Sequence, residues 1–207
     1  MFDLSEACSQ IVTVIDRRAQ DRQFPILIAL DGGSGAGKST LASMLEQQMD
    51  CVVVQLDDFF AAHIPDREWG SLTVQEKAEN VFDWQRVRTE ALKPLLAGQT
   101  ARWHPFDFAA GLRLDGTYPM SQQWVEKGPA PVIFLEGAYS SSSKLADLID
   151  LKVLVDIPIA ERHRRLDERE KDKQFLKRWH LLWDNVEEYY FTEVMPKSSF
   201  DLVVTGI

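Results

Sequence analysis

The chain has 207 residues, enough for one domain that buries roughly 70% of its unfolded surface without a metal or disulfide staple. Its net charge of −9 argues against a broad nucleic-acid surface, which needs a basic footprint. Two cysteines, Cys8 and Cys51, give neither a metal spacing nor a disulfide framework, and no apolar run approaches the roughly 18 residues of a membrane span. The first residues carry Asp3, Glu6 and Asp16 and lack the basic-then-apolar pattern of a secretion signal, so a cytoplasmic location is expected.

In chain order, residues 3–20 read as a helix with Leu4, Cys8, Ile11, Val14 and Ile15 on one side. Residues 26–30 form a continuous apolar run of buried-strand length. Directly after it, Gly32 to Ser39 spell G-x-x-x-x-G-K-S, a phosphate-binding P-loop. Glycines let backbone N–H groups curl around phosphates, so Gly33, Ser34, Gly35, Ala36, Gly37 and Thr40 join Lys38 and Ser39 as the nucleotide cradle. Lys38 can reach the β- and γ-phosphates, Ser39 can hold Mg²⁺, and the N-terminus of the helix expected over 38–49 adds partial positive charge. A glycine-rich surface turn is the bland alternative; the strand before and the helix after argue against it.

Further short apolar runs at 52–56, 132–135, 151–157 and 202–204 alternate with helical stretches near 84–97, 143–149, 159–172 and 176–194. This alternation implies a five-stranded, mostly parallel α/β sheet with helices on both faces. Residues 98–131 are rich in Gly and Pro and read as irregular, with some short strand. No repeat is present. Residues 159–178 carry eight Lys/Arg against five acids, a local +3 that suits an anionic ligand.

Parallel sheets bind ligands beyond the C-terminal ends of their strands. Three carboxylates fall there: Asp57, Glu136 and Asp156. Asp57 could orient an attacking hydroxyl and contribute to the metal site; Glu136 could bind the metal; the arginines of 162–169 could close over the phosphate. Each has a plainer reading: Asp57 or Asp58 as a helix cap, Glu136 as a turn residue, the arginines as a solvated face with pairs such as Arg164–Glu168. Asp83 is either an N-cap or a substrate contact. Trp179, Trp183, Val186 and Tyr190 form a stripe that reads as core. His63, His104, His163 and His180 show no metal-ligand spacing and take no role.

Taken together these motifs resemble the uridine kinase-like branch of P-loop kinases, a group with phosphoribulokinase, pantothenate kinase and nicotinamide riboside kinase. The likeness runs from about residue 25 to 204. Asp57-Asp58-Phe59-Phe60 resembles the family's D-[SD]-F-[YF], which implies Asp57 as catalytic base. Phe82-Asp83 resembles the F/Y-D whose Asp holds ribose hydroxyls, and residues 92–98 resemble L-x-x-L-x-x-G. Residues 105–113 are similar to P-x-Y-D-F-x-x-H-x-R, placing Phe106 and Arg113 at the substrate. Leu135-Glu136-Gly137 resembles the strand-ending E-G near the metal. Asp156 with Arg162, Arg165 and Arg169-Glu170 resembles the D…R-x-x-R-x-x-x-R-[DE] of the lid, implying a lid near 159–180 in which Arg162 also touches substrate. Residues 194–204 follow V-x-P…A-D-x-I-I.

Two departures matter. Phe106 and Gly111 stand where uridine kinases have the Tyr and His that help read uracil, which weakens uridine as the acceptor. The Trp-rich stretch 176–191 replaces the usual Gly- and Arg-containing lid. The resemblance implies an ATP- and Mg²⁺-dependent kinase that phosphorylates a hydroxyl of a small molecule, a nucleoside or another ribosyl or sugar-like compound. It implies no nucleic-acid or membrane partner and leaves homo-oligomerisation open. The competing functions are a nucleotide-binding switch and a degenerate kinase fold used as a binding module. The absence of N-K-x-D argues against a guanine switch, and intact Lys38, Ser39, Asp57 and Glu136 argue against degeneracy.

Overall fold

The computed structural model describes residues 4–19 and 25–205; the ends of the helix expected over 3–20 lie outside them. Five strands form one parallel sheet in the order β2-β5-β1-β6-β7. They are β1 (Ile26–Asp31), β2 (Cys51–Gln55), β5 (Val132–Glu136), β6 (Leu151–Val155) and β7 (Leu202–Val204). Central β1 is buried along its whole length, as a strand covered on both faces must be.

Alternate residues supply two cores. Ile26, Ile28, Leu30, Val132, Phe134 and Val153 face α1 (Ser5–Ala19) and α2 (Lys38–Gln48). Leu27, Ile133, Leu135 and Leu154 face the other way, toward the 84–96 helix and α7 (Lys173–Tyr189). The period of two along each strand therefore dictates the layering.

The expected 84–97 helix forms as α4 (Trp84–Arg86), a π-type turn (Val87–Leu92) and α5 (Lys93–Leu96). Pro94 has no N–H to continue an α ladder, and the widened turn precedes it. The helix expected over 143–149 is reduced to a single 3₁₀ turn, Ser143–Leu145. α6 (Ile159–Arg169) stops before the expected residue 172 because Glu170 is extended. Asp172 then caps α7 by accepting from Gln174 N and Phe175 N, both at 3.0 Å, so this helix begins three residues earlier than the apolar stripe suggested.

One helix was not foreseen, and the short strand expected within 98–131 forms as an antiparallel pair. α3 (Val74–Asn80) is started by a capping box in which Thr73 and Glu76 satisfy each other's backbone N–H groups. Within the 98–131 region, β3 (Ala101–Trp103) and β4 (Val125–Lys127) pair antiparallel and carry the 104–124 excursion over the sheet's C-terminal edge.

Candidate active site

The P-loop starts on a buried carboxylate. Asp31 Oδ1 accepts from Gly32 N (2.8 Å) and Tyr139 N (2.9 Å), and Oδ2 accepts from Ser141 N and Tyr190 Oη (both 2.9 Å). Four donors tie the end of β1 to the turn after β5 and to the helical segment Tyr190–Val194 that continues α7. Burial raises the Asp31 carboxyl above its usual range, while Ser141, Gly32, Tyr190 and Lys38 draw it down.

Gly35 has φ +80°, and a Cβ there would stand 2.7 Å from the Arg162 carbonyl oxygen. Only glycine lets α6 lie this close to the loop. Lys38, at the start of α2, is buried and donates to the Gly33 carbonyl at 3.2 Å. Ser39 Oγ donates to Glu136 Oε1 at 3.2 Å. Glu136 ends β5 at Gly137, whose φ is +155° and whose added Cβ would meet Leu56 Cβ at 2.7 Å. Glu136 thus stands at a tight bend, the plainer reading, with its carboxylate against the P-loop hydroxyl of Ser39.

The two aspartates after β2 separate. Asp58 Oδ2 accepts from the Trp103 indole N–H at 2.7 Å and is used up by packing. Asp57 lines the cleft with Lys38, Ser39 and Glu136. Neither caps an α-helix; both lie in the 3₁₀ turn Leu56–Phe59, which has no side-chain cap. The Asp57 carboxylate opens onto the cleft, yet the surrounding protein is the first cause holding it above the usual range. Lys38 and Arg169 pull it down, and Glu187 pushes it up. Glu136 is likewise raised, first by desolvation, with Lys38 opposing and Asp57 adding to the shift.

The basic segment divides by helix face. Arg164 sits outside with Glu161 and Glu168, as the solvated-face reading holds. On the inner face, Arg165 Nη1 donates to the Ala36 carbonyl at 3.2 Å, and Arg169 lines the cleft. Arg162 donates to the Ser34 carbonyl (3.0 Å) and to Glu187 Oε2 (2.7 Å). Glu187 Oε1 accepts from Ser34 N (2.9 Å) and Ser34 Oγ (2.6 Å). A carboxylate from α7 therefore occupies a P-loop amide, and Arg162 is paired with it rather than lining the cleft.

The cleft has a volume of about 480 Å³. It runs into an aromatic pocket of about 450 Å³ lined by Phe60, Trp69, Phe106, Tyr118, Trp179 and Trp183. Phe106 is buried and packs edge-on against Phe60, with ring centroids 5.0 Å apart. Val186 and Tyr190 are core, as the stripe suggested, whereas Trp179 and Trp183 also face both cavities.

Asp83 and Arg113 are not brought into either cavity. Asp83 Oδ1 accepts from Arg86 N at 3.1 Å, the N-cap alternative, because α4 begins there. Arg113 lies in an exposed turn closed by Gly116 N to its carbonyl (2.9 Å). Asp31, Glu187, Trp69 and Tyr139 were missed: their partners lie far away in sequence, and no local spacing marks them.

A P-loop ending the central strand of a parallel sheet, with two carboxylates and arginines around it, defines the class of P-loop kinases. The family model for the phosphoribulokinase/uridine kinase family matches residues 27–169, and the chain belongs to that family. The uridine kinase of Borrelia duttonii is 27% identical over 187 residues, covering 86% of this chain and 85% of that one. The uridine kinase of Mycoplasma pneumoniae is 26% identical over 199 residues, covering 89% and 86%. A structure described as a possible uridine kinase from Bacillus stearothermophilus superposes with a TM-score of 0.65 at 18% identity, covering 97% of this chain and 96% of the other, and shares the fold. The protein is an ATP-dependent small-molecule kinase. No helix among the described residues is long and apolar enough to cross a membrane.

Proposed function

We propose that the protein moves the γ-phosphoryl group of ATP to a hydroxyl of a nucleoside or another ribosyl or sugar-like compound, with Mg²⁺ as the metal. The observation that carries this reading is that Lys38, Ser39, Asp57 and Glu136 line one cleft that opens into a cavity large enough for a small acceptor. Two carboxylates and a hydroxyl are hard oxygen donors; Glu136 is buried and its carboxyl is held up by that burial, and Lys38 is the buried cation beside it. A divalent cation would relieve that excess negative charge, so the donor set fits Mg²⁺.

When bound, Mg²⁺-ATP supplies the phosphoryl group and part of the charge neutralisation. The chain's own residues do the rest. The loop amides of 33–40 hold phosphate oxygens, and Lys38 balances their charge. Ser39 and Glu136 would hold the cation, with Asp57 lining the same cleft. Asp57 takes the proton of the attacking hydroxyl. Arg165 and Arg169, joined by Arg162 once it leaves Glu187, stabilise charge on the transferring group. Phe106 and the surrounding rings receive a flat or apolar part of the acceptor, by area burial and ring stacking rather than by the polar contacts that read uracil.

ADP formation from Mg²⁺-ATP against nucleosides, nicotinamide riboside, pantothenate, glycerate and simple sugars tests this. Turnover with a ribosyl or sugar-like acceptor is expected; turnover confined to pantothenate or glycerate would refute the acceptor class.

A further inference from the structure

Away from the cleft, α6 and α7 meet through a second cluster that the kinase reading does not use. His163 on α6 and His180 on α7 lie with ring centroids 4.3 Å apart. Asp184, one turn after His180, reaches both rings: Oδ1 is 2.9 Å from His180 Nδ1, and Oδ2 is 3.3 Å from His163 Nε2. One donor atom from each of the three residues lies within 4.8 Å of the others. All three side chains are partly exposed, so water can complete a coordination sphere.

The chemistry of the donors is specific. Two imidazole nitrogens and one carboxylate suit zinc-type ions and not the all-oxygen shells of Mg²⁺ or Ca²⁺. With metal–ligand bonds of about 2.0–2.1 Å, tetrahedral ligands stand roughly 3.3 Å apart. His163 Nε2 and Asp184 Oδ2, 3.3 Å apart, match that edge; His180 Nδ1 meets the other carboxylate oxygen at 2.9 Å, so a metal would replace that contact and draw the three donors together. His180 and Asp184 are spaced i,i+4, which places two ligands on one helix face, and the third comes from a neighbouring helix.

We propose that His163, His180 and Asp184 form a binding site for a divalent transition metal of the zinc type, which staples α6 to α7. The staple would stand beside the Arg162–Glu187 pair, since Arg162 precedes His163 and Glu187 follows Asp184 by three residues. A carboxylate shared by two imidazole N–H groups, with no metal, is the competing arrangement.

The test is zinc affinity of the full chain, stripped with chelator and held in millimolar Mg²⁺ so that the cleft's oxygen donors are occupied. Competition against a chromophoric chelator should give one zinc per chain in the wild type. His180→Gln and Asp184→Asn should each weaken it roughly tenfold or more, while His63→Gln leaves it unchanged. Co²⁺ should give the visible absorption of a tetrahedral site, lost in both variants. Because the three side chains are partly exposed, the variants should match the wild-type melting temperature in chelator; His163→Gln replaces either one that does not. Absence of zinc binding, or affinities within twofold across wild type and variants, would overturn the site.

Discussion

Among single residues, Tyr190 gives the clearest stability test. Its hydroxyl donates to buried Asp31, which also anchors the first P-loop amide. Tyr190→Phe leaves one lone pair of a buried carboxylate unsatisfied, so it should cost about 1–3 kcal/mol in denaturant unfolding. A loss under a few tenths would mean Asp31 is held by its three amides alone. Glu136 carries a sign that can be checked. Burial puts its folded pKa above the unfolded value of about 4.3, so the folded state binds its proton more tightly. That contribution to stability is complete below the unfolded pKa and is lost as pH rises through the folded pKa. Without metal, Glu136→Gln should therefore melt higher than wild type at pH 7, with the gap closing below about pH 4. The same change should abolish Mg²⁺-dependent turnover, a trade of stability for activity. A variant that melts lower at pH 7 would show that the carboxylate is not strained by its surroundings.

At the scale of elements, α7 closes on the P-loop through Glu187, whose carboxylate takes the Ser34 amide and pairs with Arg162. ATP phosphates must compete with that charge. Glu187→Gln keeps a hydrogen-bonding group but removes the like charge, and it should tighten ATP by roughly tenfold, about 1.4 kcal/mol. Unchanged or weaker ATP binding in calorimetry would show that Glu187 is structural only. The sequence already marked the elements that carry their own local signals. The P-loop stood between an apolar run and a helix, and Arg165 and Arg169 fell on the inner face of a recognisable helix. Even α3 was signalled by Thr73 and Glu76 in a capping box, although its weak apolar pattern hid it. By contrast Glu187, on a helix read as core, found its partner Ser34 only through the fold.

For the whole molecule, strict alternation along the strands set the two cores, so the layered architecture was legible from short apolar runs. The acceptor side was not. Phe60, Trp69, Phe106 and Trp183 come from four separate segments, and only folding of the 104–124 excursion and α7 gathers them into one cavity. Asp83 caps α4 and Arg113 lies in an exposed turn, so neither is among the residues that line this cavity. The most direct measurement is ADP release from Mg²⁺-ATP with and without added acceptors, for wild type and Asp57→Asn. A kinase built this way gives turnover that requires a hydroxyl acceptor. Replacement of Asp57 should cut it roughly 10²–10⁴-fold. ATP turnover that is independent of any acceptor and indifferent to Asp57 would contradict it.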